Sequence, residues 1–477
     1  MSCISDLTQD FYGDVSATKP FPSLKKLRIE KLPEWERWHV PEGEVFNRLE
    51  ELSIIGCPKL IGELPRQLAS LQSLKISGCG NLVRPNGQLS ILNGENQQNF
   101  SSLRQLKISE LENLKELPLQ FNQLSRLEEL NISALKNLEE LHLQSNQLSR
   151  LKELTIRDCG SLSPSHVSRP PASLKSLQYD GRCNLELESS SGEGGGALED
   201  LTLLNCDSVK VKVEWLASFP MLRYVQIFNC RSVEMLSVPT APALGIGNQS
   251  GMTTTTTTTT STSSVMTSLQ SLYFSGCDDL ILSFPASSLT SLGIYHCKKL
   301  TSLPQRMESL LPSLRSLCLR NCPEIECFPE GGLPSTLQFL QIENCKKLMS
   351  RRTEWGLEKL PFLTGLSIES PCDEVESFPE EDWLLPCTLQ SLSLSSLENL
   401  KVLNYSALRH LTSLQTLRFT DCPRLQSLPE EGLPASLTEL YIWRCPLLKP
   451  RLEWEKGQDW PKVAHIPCLL VDGDLVP

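Results

Sequence analysis

Apolar residues return along this chain in a single frame, L-x-x-L-x-L-x-x-C-x-x-I-x-x-F-P, spelled out at Leu314–Pro329. The frame recurs at Leu49–Leu60, Leu289–Pro304 and Leu414–Pro429. Aligned on the first leucine, seventeen copies begin at residues 24, 49, 71, 103, 127, 151, 174, 198, 222, 269, 289, 314, 337, 363, 389, 414 and 437. Within each copy an x-L-x-L-x core, such as Ser316-Leu317-Cys318-Leu319-Arg320, alternates apolar and polar positions. That alternation predicts a short strand with one buried face. The next apolar positions come three and six residues later, so the chain leaves the strand and turns.

One such strand cannot cover its own leucines. Stacked copies pair their strands in parallel and pool the leucines into a continuous core. Each buried Leu or Ile contributes about 1.5–3 kcal/mol, enough for five or six per copy to offset much of the ordering cost. Most intervals between the copies are 20–26 residues, the period of a leucine-rich repeat. The predicted fold is an α/β-type repeat solenoid. It is a leucine-rich-repeat horseshoe with a concave parallel β-sheet and a convex side of irregular chain and short helices. At roughly 4.8 Å per strand, seventeen copies give an arc on the order of 80 Å.

Eleven copies place Cys three residues after the second strand leucine: Cys57, Cys79, Cys159, Cys206, Cys230, Cys277, Cys297, Cys322, Cys345, Cys422 and Cys445. Leu32, Leu111, Leu135 and Leu397 stand there in four copies, Arg182 and Pro371 in the remaining two. A position shared by Cys and Leu reads as a small buried hydrophobe, with the S–H as a weak donor to the turn carbonyls. The repeat thus accounts for most of the 18 cysteines. With no basic-then-apolar leader and no apolar run near 18 residues, the composition points to a reduced cytosolic or nuclear compartment and no membrane span. Cysteines on adjacent copies could still approach within disulfide range. Cys318, Cys322 and Cys327 resemble a loose metal cluster but lack a paired C-x-x-C, and no metal or cofactor is expected.

Lys plus Arg number 45 against 56 Asp plus Glu, a net charge of −11 without a basic stripe. Phosphate-dominated nucleic-acid binding is therefore not expected. The six histidines are scattered, with no H-x-x-x-H or H-E-x-x-H, and acid runs such as Glu380-Glu381-Asp382 read as solvated turns. No nucleophile–base or paired-carboxylate constellation emerges, so the chain is read as a binding protein and not an enzyme. Of four N-x-[ST] sequons (Asn99, Asn131, Asn248, Asn404), Asn131 falls inside a predicted strand.

The organisation expected is a lead-in over 1–23, copies 1–9 over 24–236, an insert over 237–267, copies 10–17 over 268–449 and a cap over 450–477. The insert carries an eight-threonine run, Thr253–Thr260, without apolar alternation, and reads as a solvated loop. A polar stretch at 83–102 and the Gly/Ser-rich residues 186–197 read as smaller spacers. Trp454, Trp460 and the Cys468–Val471 run are expected to cap the last copy.

Several stretches carry a family resemblance: Lys19-Pro20-Phe21-Pro22-Ser23-Leu24, Leu32-Pro33-Glu34-Trp35-Glu36-Arg37-Trp38, turns such as Cys57-Pro58-Lys59-Leu60, and the spacer-plus-strand from Phe328 to Cys345. The ending, Gly457-Gln458-Asp459-Trp460 through His465-Ile466-Pro467, matches a G-x-D-W-x-x-I-x-H-I-P signature apart from Val463 in the isoleucine position. Together they resemble the C-terminal repeats of plant nucleotide-binding leucine-rich-repeat disease-resistance receptors of the coiled-coil class. In that family a coiled coil and a nucleotide-binding module precede the repeats. This chain has no G-x-x-x-x-G-K-[ST] phosphate loop, so nucleotide binding is not carried over. The chain is either the sensor part of a longer receptor or a truncated relative.

The resemblance implies a protein partner, a pathogen effector or a host protein altered by one, and contact with a nucleotide-binding switch. Exposed aromatics and Arg dominate recognition hot spots. On the concave face these are Tyr224 and Phe228, with Gln226 between them, then Tyr273, Tyr295, Arg320 and Phe339. A second cluster holds Arg418, Tyr441 and Trp443. In copies 4–6 the same positions are small or charged, from Gln105, Lys107 and Ser109 to Arg157. By family analogy the basic residues Lys25, Lys26, Arg28 and Lys31 are candidates for an intramolecular switch contact. Two other readings stay open: a stand-alone scaffold, adaptor or decoy, and an extracellular ectodomain. The latter would want recurrent L-x-G-x-I-P turns, which only Ile61–Pro65 approaches.

Overall fold

The computed structural model describes the chain from Asp6 to Val476, apart from residues 8–10, 13–19, 40–44, 63, 66–67, 88, 90–99, 118–123, 142–147, 164, 189–195, 237–267, 284, 372–374 and 381–384. The threonine run, most of the polar stretch at 83–102 and most of the glycine spacer thus lie outside the described residues. All seventeen copies form the expected strand. In the first unit these are β1 Lys26–Glu30, β2 Glu51–Ile55, β3 Ser73–Ser77, β4 Gln105–Ser109, β5 Glu129–Ser133, β6 Glu153–Arg157, β7 Ser176–Asp180 and β8 Asp200–Leu204. In the second they are β9 Tyr224–Phe228, β10 Ser271–Ser275, β11 Ser291–Tyr295, β12 Ser316–Arg320, β13 Phe339–Glu343, β14 Gly365–Glu369, β15 Ser391–Ser395, β16 Thr416–Thr420 and β17 Glu439–Trp443. By packing, the first unit comprises residues 1–210 and 218–223, and the second 211–217 and 224–477.

Within each unit the strands pair in parallel with leucine on leucine. Leu106 meets Leu130 and Ile108 meets Ile132 in the first unit; Leu317 meets Leu340 and Leu319 meets Ile342 in the second. Those side chains are buried, while positions one, three and five of each strand point to the open face of the sheet.

The turn that ends each strand is nearly invariant. In fifteen of the seventeen copies the residue after the strand adopts a left-handed conformation, among them Lys31, Gly56, Glu110, Asn205, Asn321, Asn344 and Asp421, with φ between 49° and 65°. For residues other than Gly this is uncommon, with Asn and Asp enriched. The turned N–H extends the ladder: Asn321 N–H donates to the Glu343 carbonyl at 2.8 Å and Lys31 N–H to that of Ile55 at 2.8 Å. The two copies without it follow β7 and β14, where Arg182 and Pro371 replace the turn Cys or Leu. After β7 the buried Tyr179 takes a leucine position, and its hydroxyl lies 3.4 Å from Cys183, one residue late.

All eleven turn cysteines are buried. Each thiol donates to the carbonyl of the last strand residue at 3.3–3.6 Å. Buried and holding one weak hydrogen bond each, these thiols serve as packing groups; burial pushes that of Cys159 up to about 11. Cys318 and Cys327 take separate places, half-buried and exposed. Among the described residues no group of three or more His, Cys, Asp or Glu is placed to hold a metal ion.

The ends are closed differently. At the start, Phe21 stacks on Phe46 with centroids 6.0 Å apart, and Trp38 donates its indole N–H to the Tyr12 hydroxyl at 2.7 Å. At the other end Cys468–Val471 does more than cover the last copy: as β18 it pairs in parallel with β17, carrying the ladder one strand further. An antiparallel return, β19 Asp474–Val476, then finishes the sheet. The terminal motif is a buried ionic clamp. Asp459 is fully buried. Its carboxylate accepts from Arg451 Nε at 2.8 Å and from the Leu428 backbone N–H at 3.1 Å, and pairs with Lys462 at 2.7 Å. Gly457 is required nearby because a Cβ there would collide with the Arg451 carbonyl.

Candidate functional site

The candidate recognition residues divide by unit. All ten proposed for partner binding stand on β9 to β17 of the second unit, at outward positions of the strands. Three of its large hydrophobic rings are substantially exposed: Tyr224 at 40%, Phe339 at 38% and Trp443 at 43%. The others are half-buried or held by a neighbour, in a manner that depends on two glycines the sequence reading passed over.

Tyr273 and Tyr295 lie nearly parallel, centroids 6.4 Å apart at 14°. They share a bed at Gly293, where an added Cβ would lie 2.5–2.7 Å from their ring atoms. Gly293 faces Tyr273 in the β10–β11 register, so the missing side chain is what lets both rings lie against the sheet. The Tyr273 hydroxyl and Ser291 Oγ stand 3.2 Å apart. Burial, then the neighbouring Cys318 and Tyr273, pushes the Tyr295 hydroxyl up to about 12. Arg320 extends over the Tyr295 ring at 5.9 Å while its Nε pairs with Glu343 at 3.1 Å. Phe339 repeats the device over Gly365, where a Cβ would meet its ring at 2.6 Å.

Three strands on, the second cluster has its own internal order. The Arg418 guanidinium lies 4.3 Å from the Tyr441 centroid, an arrangement worth about 0.5–1 kcal/mol when exposed. Tyr441 donates its hydroxyl to Glu439 at 3.2 Å. Trp443 lies against Gly473, in the turn between β18 and β19. The structure does not join the two clusters. Between Phe339 on β13 and Arg418 on β16 run β14 and β15, whose outward residues are Gly365, Ser367 and Glu369, then Ser391, Ser393 and Ser395. A trough floored by hydrogen and hydroxymethyl side chains thus separates two raised aromatic and Arg clusters.

The basic residues of the first unit are already engaged. Lys25 pairs with Glu50 at 2.8 Å, Lys26 with Glu51 at 2.7 Å, and Arg28 with Glu30 on its own strand. Lys31 is the left-handed turn residue after β1. Three of the four residues of this basic spot are thus in ion pairs. The partners of Lys25 and Lys26 sit 25 residues away, one full copy along, and only stacking reveals them.

Comparison with known proteins places these features in context. A family model described as "Plant disease resistance protein RPS2-like, leucine-rich repeats" matches residues 23–178. A candidate disease resistance protein of Arabidopsis thaliana is 31% identical over 319 residues, covering 66% of this chain and 21% of that protein. The Arabidopsis thaliana disease resistance protein RPP4 is 26% identical over 300 residues, covering 58% and 24%. The chain thus spans about a fifth to a quarter of the length of these relatives. Among solved structures, the circular leucine-rich-repeat protein CroV588 aligns over 88% of this chain and 63% of its own, at 16% identity and a TM-score of 0.46. The family model and the Arabidopsis thaliana relatives bear out the resemblance to the repeats of plant disease-resistance proteins. No helix among the described residues is long and apolar enough to cross a membrane.

Proposed function

Starting from a leucine-rich-repeat chain of the plant disease-resistance kind, we propose that it recognises a protein through the open sheet face of its second unit. In this reading the partner is a pathogen effector or a host protein altered by one. The chain works by binding and carries no chemistry of its own. The observation that supports it is the concentration of exposed Tyr224, Phe339, Trp443 and Arg418 on one face of one sheet, the residue types that anchor protein interfaces. In a longer receptor the same chain would also restrain a nucleotide-binding module, with the first copies as its contact. The paired state of Lys25, Lys26 and Arg28 makes their positive charge a weak basis for that contact.

The test compares the native chain with a Tyr224→Ala/Arg418→Ala/Trp443→Ala variant by proximity labelling in plant cells. The proteins labelled by the native chain should be lost from the variant, while its melting temperature stays within about 2 °C, as surface substitutions allow. An unchanged labelled set would reject this face. A large fall in melting temperature would place the rings in the fold's own packing.

A further inference from the structure

The trough between the two clusters has a chemistry of its own. Beyond Gly365, which lies under the Phe339 ring, its floor of Ser367, Ser391 and Ser393 presents little side-chain bulk, so a partner backbone can approach the sheet closely. The walls stand three strand spacings apart, about 14 Å at roughly 4.8 Å per strand, wide enough to admit an extended segment with its side chains. One wall offers the half-exposed Phe339 ring. At the far end of β14 stands Glu369.

Glu369 is the unbalanced charge of this surface. It faces Glu343 across the β13–β14 register, and Glu343 already holds Arg320 at 3.1 Å. Among the described residues no Lys or Arg forms an ion pair with Glu369: Arg320 attracts it at longer range, the Ser396 hydroxyl bonds it, and Asp421 adds a further negative charge. Arg418, the nearest cation on the opposite wall by strand order, is laid over Tyr441. Burial and the charge on Glu343 raise the Glu369 carboxyl above its ordinary range, as two crowded carboxylates lacking a second cation should.

We propose that the trough seats an extended partner segment carrying an apolar residue and, four residues away, a Lys or Arg. The apolar side chain rests on Phe339 and the cation completes the Glu343–Glu369 pair. The spacing follows from the strand: Phe339 aligns with Gly365 at the first position of β14 and Glu369 is the fifth, so the two features are about 13 Å apart along it, four residues of extended chain. This deepens the proposed function and rests on the second unit's face being the binding surface. An acidic segment would meet two carboxylates in the trough and is disfavoured.

Fluorescein-labelled twelve-residue peptides with Leu and Lys four apart, in both orders, provide the probe, with Glu or Gln replacing Lys in controls. Anisotropy titrations on the whole chain should show the Lys peptide binding at least tenfold tighter than the Glu peptide in one of the orders. Glu369→Gln should erase that preference without altering the melting temperature, and Ser393→Trp, which fills the trough, should abolish binding. Equal affinity for Lys and Glu peptides, no binding by either, or a preference that survives Glu369→Gln would overturn the inference. The two readings separate in the labelling experiment. If Tyr224→Ala/Arg418→Ala/Trp443→Ala loses the labelled partners while Glu369→Gln and Ser393→Trp keep them all, the face is right and the trough is not its seat. If all three variants keep them, both readings fall.

Discussion

The open faces of the two units are built on one frame and treat their outward positions in opposite ways. In the first unit the face and its entry edge form a lattice of cross-strand ion pairs. Arg104 reaches Glu128 at 2.9 Å, Lys152 reaches the same carboxylate at 2.8 Å, Lys107 meets Glu129 at 2.7 Å and Lys175 meets Glu199 at 2.6 Å. Arg104, Glu128, Glu129 and Lys152 help line a groove of about 300 Å³ whose lining residues are all polar or charged. In the second unit the same positions hold stacked rings, serines and glycines. A charged lattice that closes on itself has little to offer a partner, because displacing any member strands its mate. Rings held against glycines leave apolar area exposed, and that area gains on binding. Fold and recognition are therefore written at alternate positions of the same five-residue strands.

The largest expected effect falls where the units should agree. Leu130→Ala in β5 and Leu319→Ala in β12, both fully buried, should each cost about 2–5 kcal/mol by denaturant unfolding. A cost confined to one unit would break the claim of a common core. The ends should differ next. Among the described residues the cap of the first unit is held by ring contacts and the Trp38–Tyr12 hydrogen bond, whereas the second unit ends on Asp459. Burial works against its charge, but the Arg451 and Lys462 hydrogen bonds outweigh it and hold its carboxyl below the ordinary value of 3.8. A depressed folded-state value means the unfolded chain binds the proton more readily. The stabilisation is complete above about pH 4 and is lost as pH falls through the folded value. Asp459→Asn should unfold at lower temperature than the native chain at pH 6, by the equivalent of about 3–5 kcal/mol for a broken buried pair. That gap should narrow toward pH 2.5.

A smaller effect tests the glycine beds. Gly293→Val should cost about 1–3 kcal/mol by forcing the tyrosine rings off the sheet. Lys75→Val, at the matching central position of β3, should stay within about 0.5 kcal/mol. Equal costs would mean the rings are not seated as described. Smallest of all, Glu128→Gln removes the shared anion of Arg104 and Lys152 and should cost under about 1 kcal/mol, fading in high salt.

The seventeen strands and their buried leucines were legible because period-two alternation and a fixed turn position survive in every copy. The turn cysteines were legible too, since interchange with Leu leaves few roles open. Cys468–Val471 was read as a cover, because Cys-Leu-Leu-Val lacks the polar alternation of the frame; only its register with β17 marks it as another strand. The seats of the rings were hidden for a different reason. Whether Tyr273 stands up or lies flat is decided by Gly293, which faces it from the next strand, and a single copy read alone does not contain that neighbour. The same holds for Lys25 and Glu50, and for the solitary charge on Glu369.

The left-handed turn has a consequence for how such a chain can change over generations. Thirteen of those fifteen joints make the same connection, one N–H passed to the last carbonyl of the following strand, whatever residue occupies it. Cutting between two such joints and rejoining at another pair restores the connection intact. Whole copies can therefore be duplicated or deleted by unequal recombination without disturbing the ladder, and the face is lengthened or rearranged in units of one strand. The joints after β7 and β14 make that connection too, at 3.2 Å from Gly181 and Ser370, without the left-handed turn. Diversity on the open face is thus inherited in blocks, and the turn sets where the blocks end.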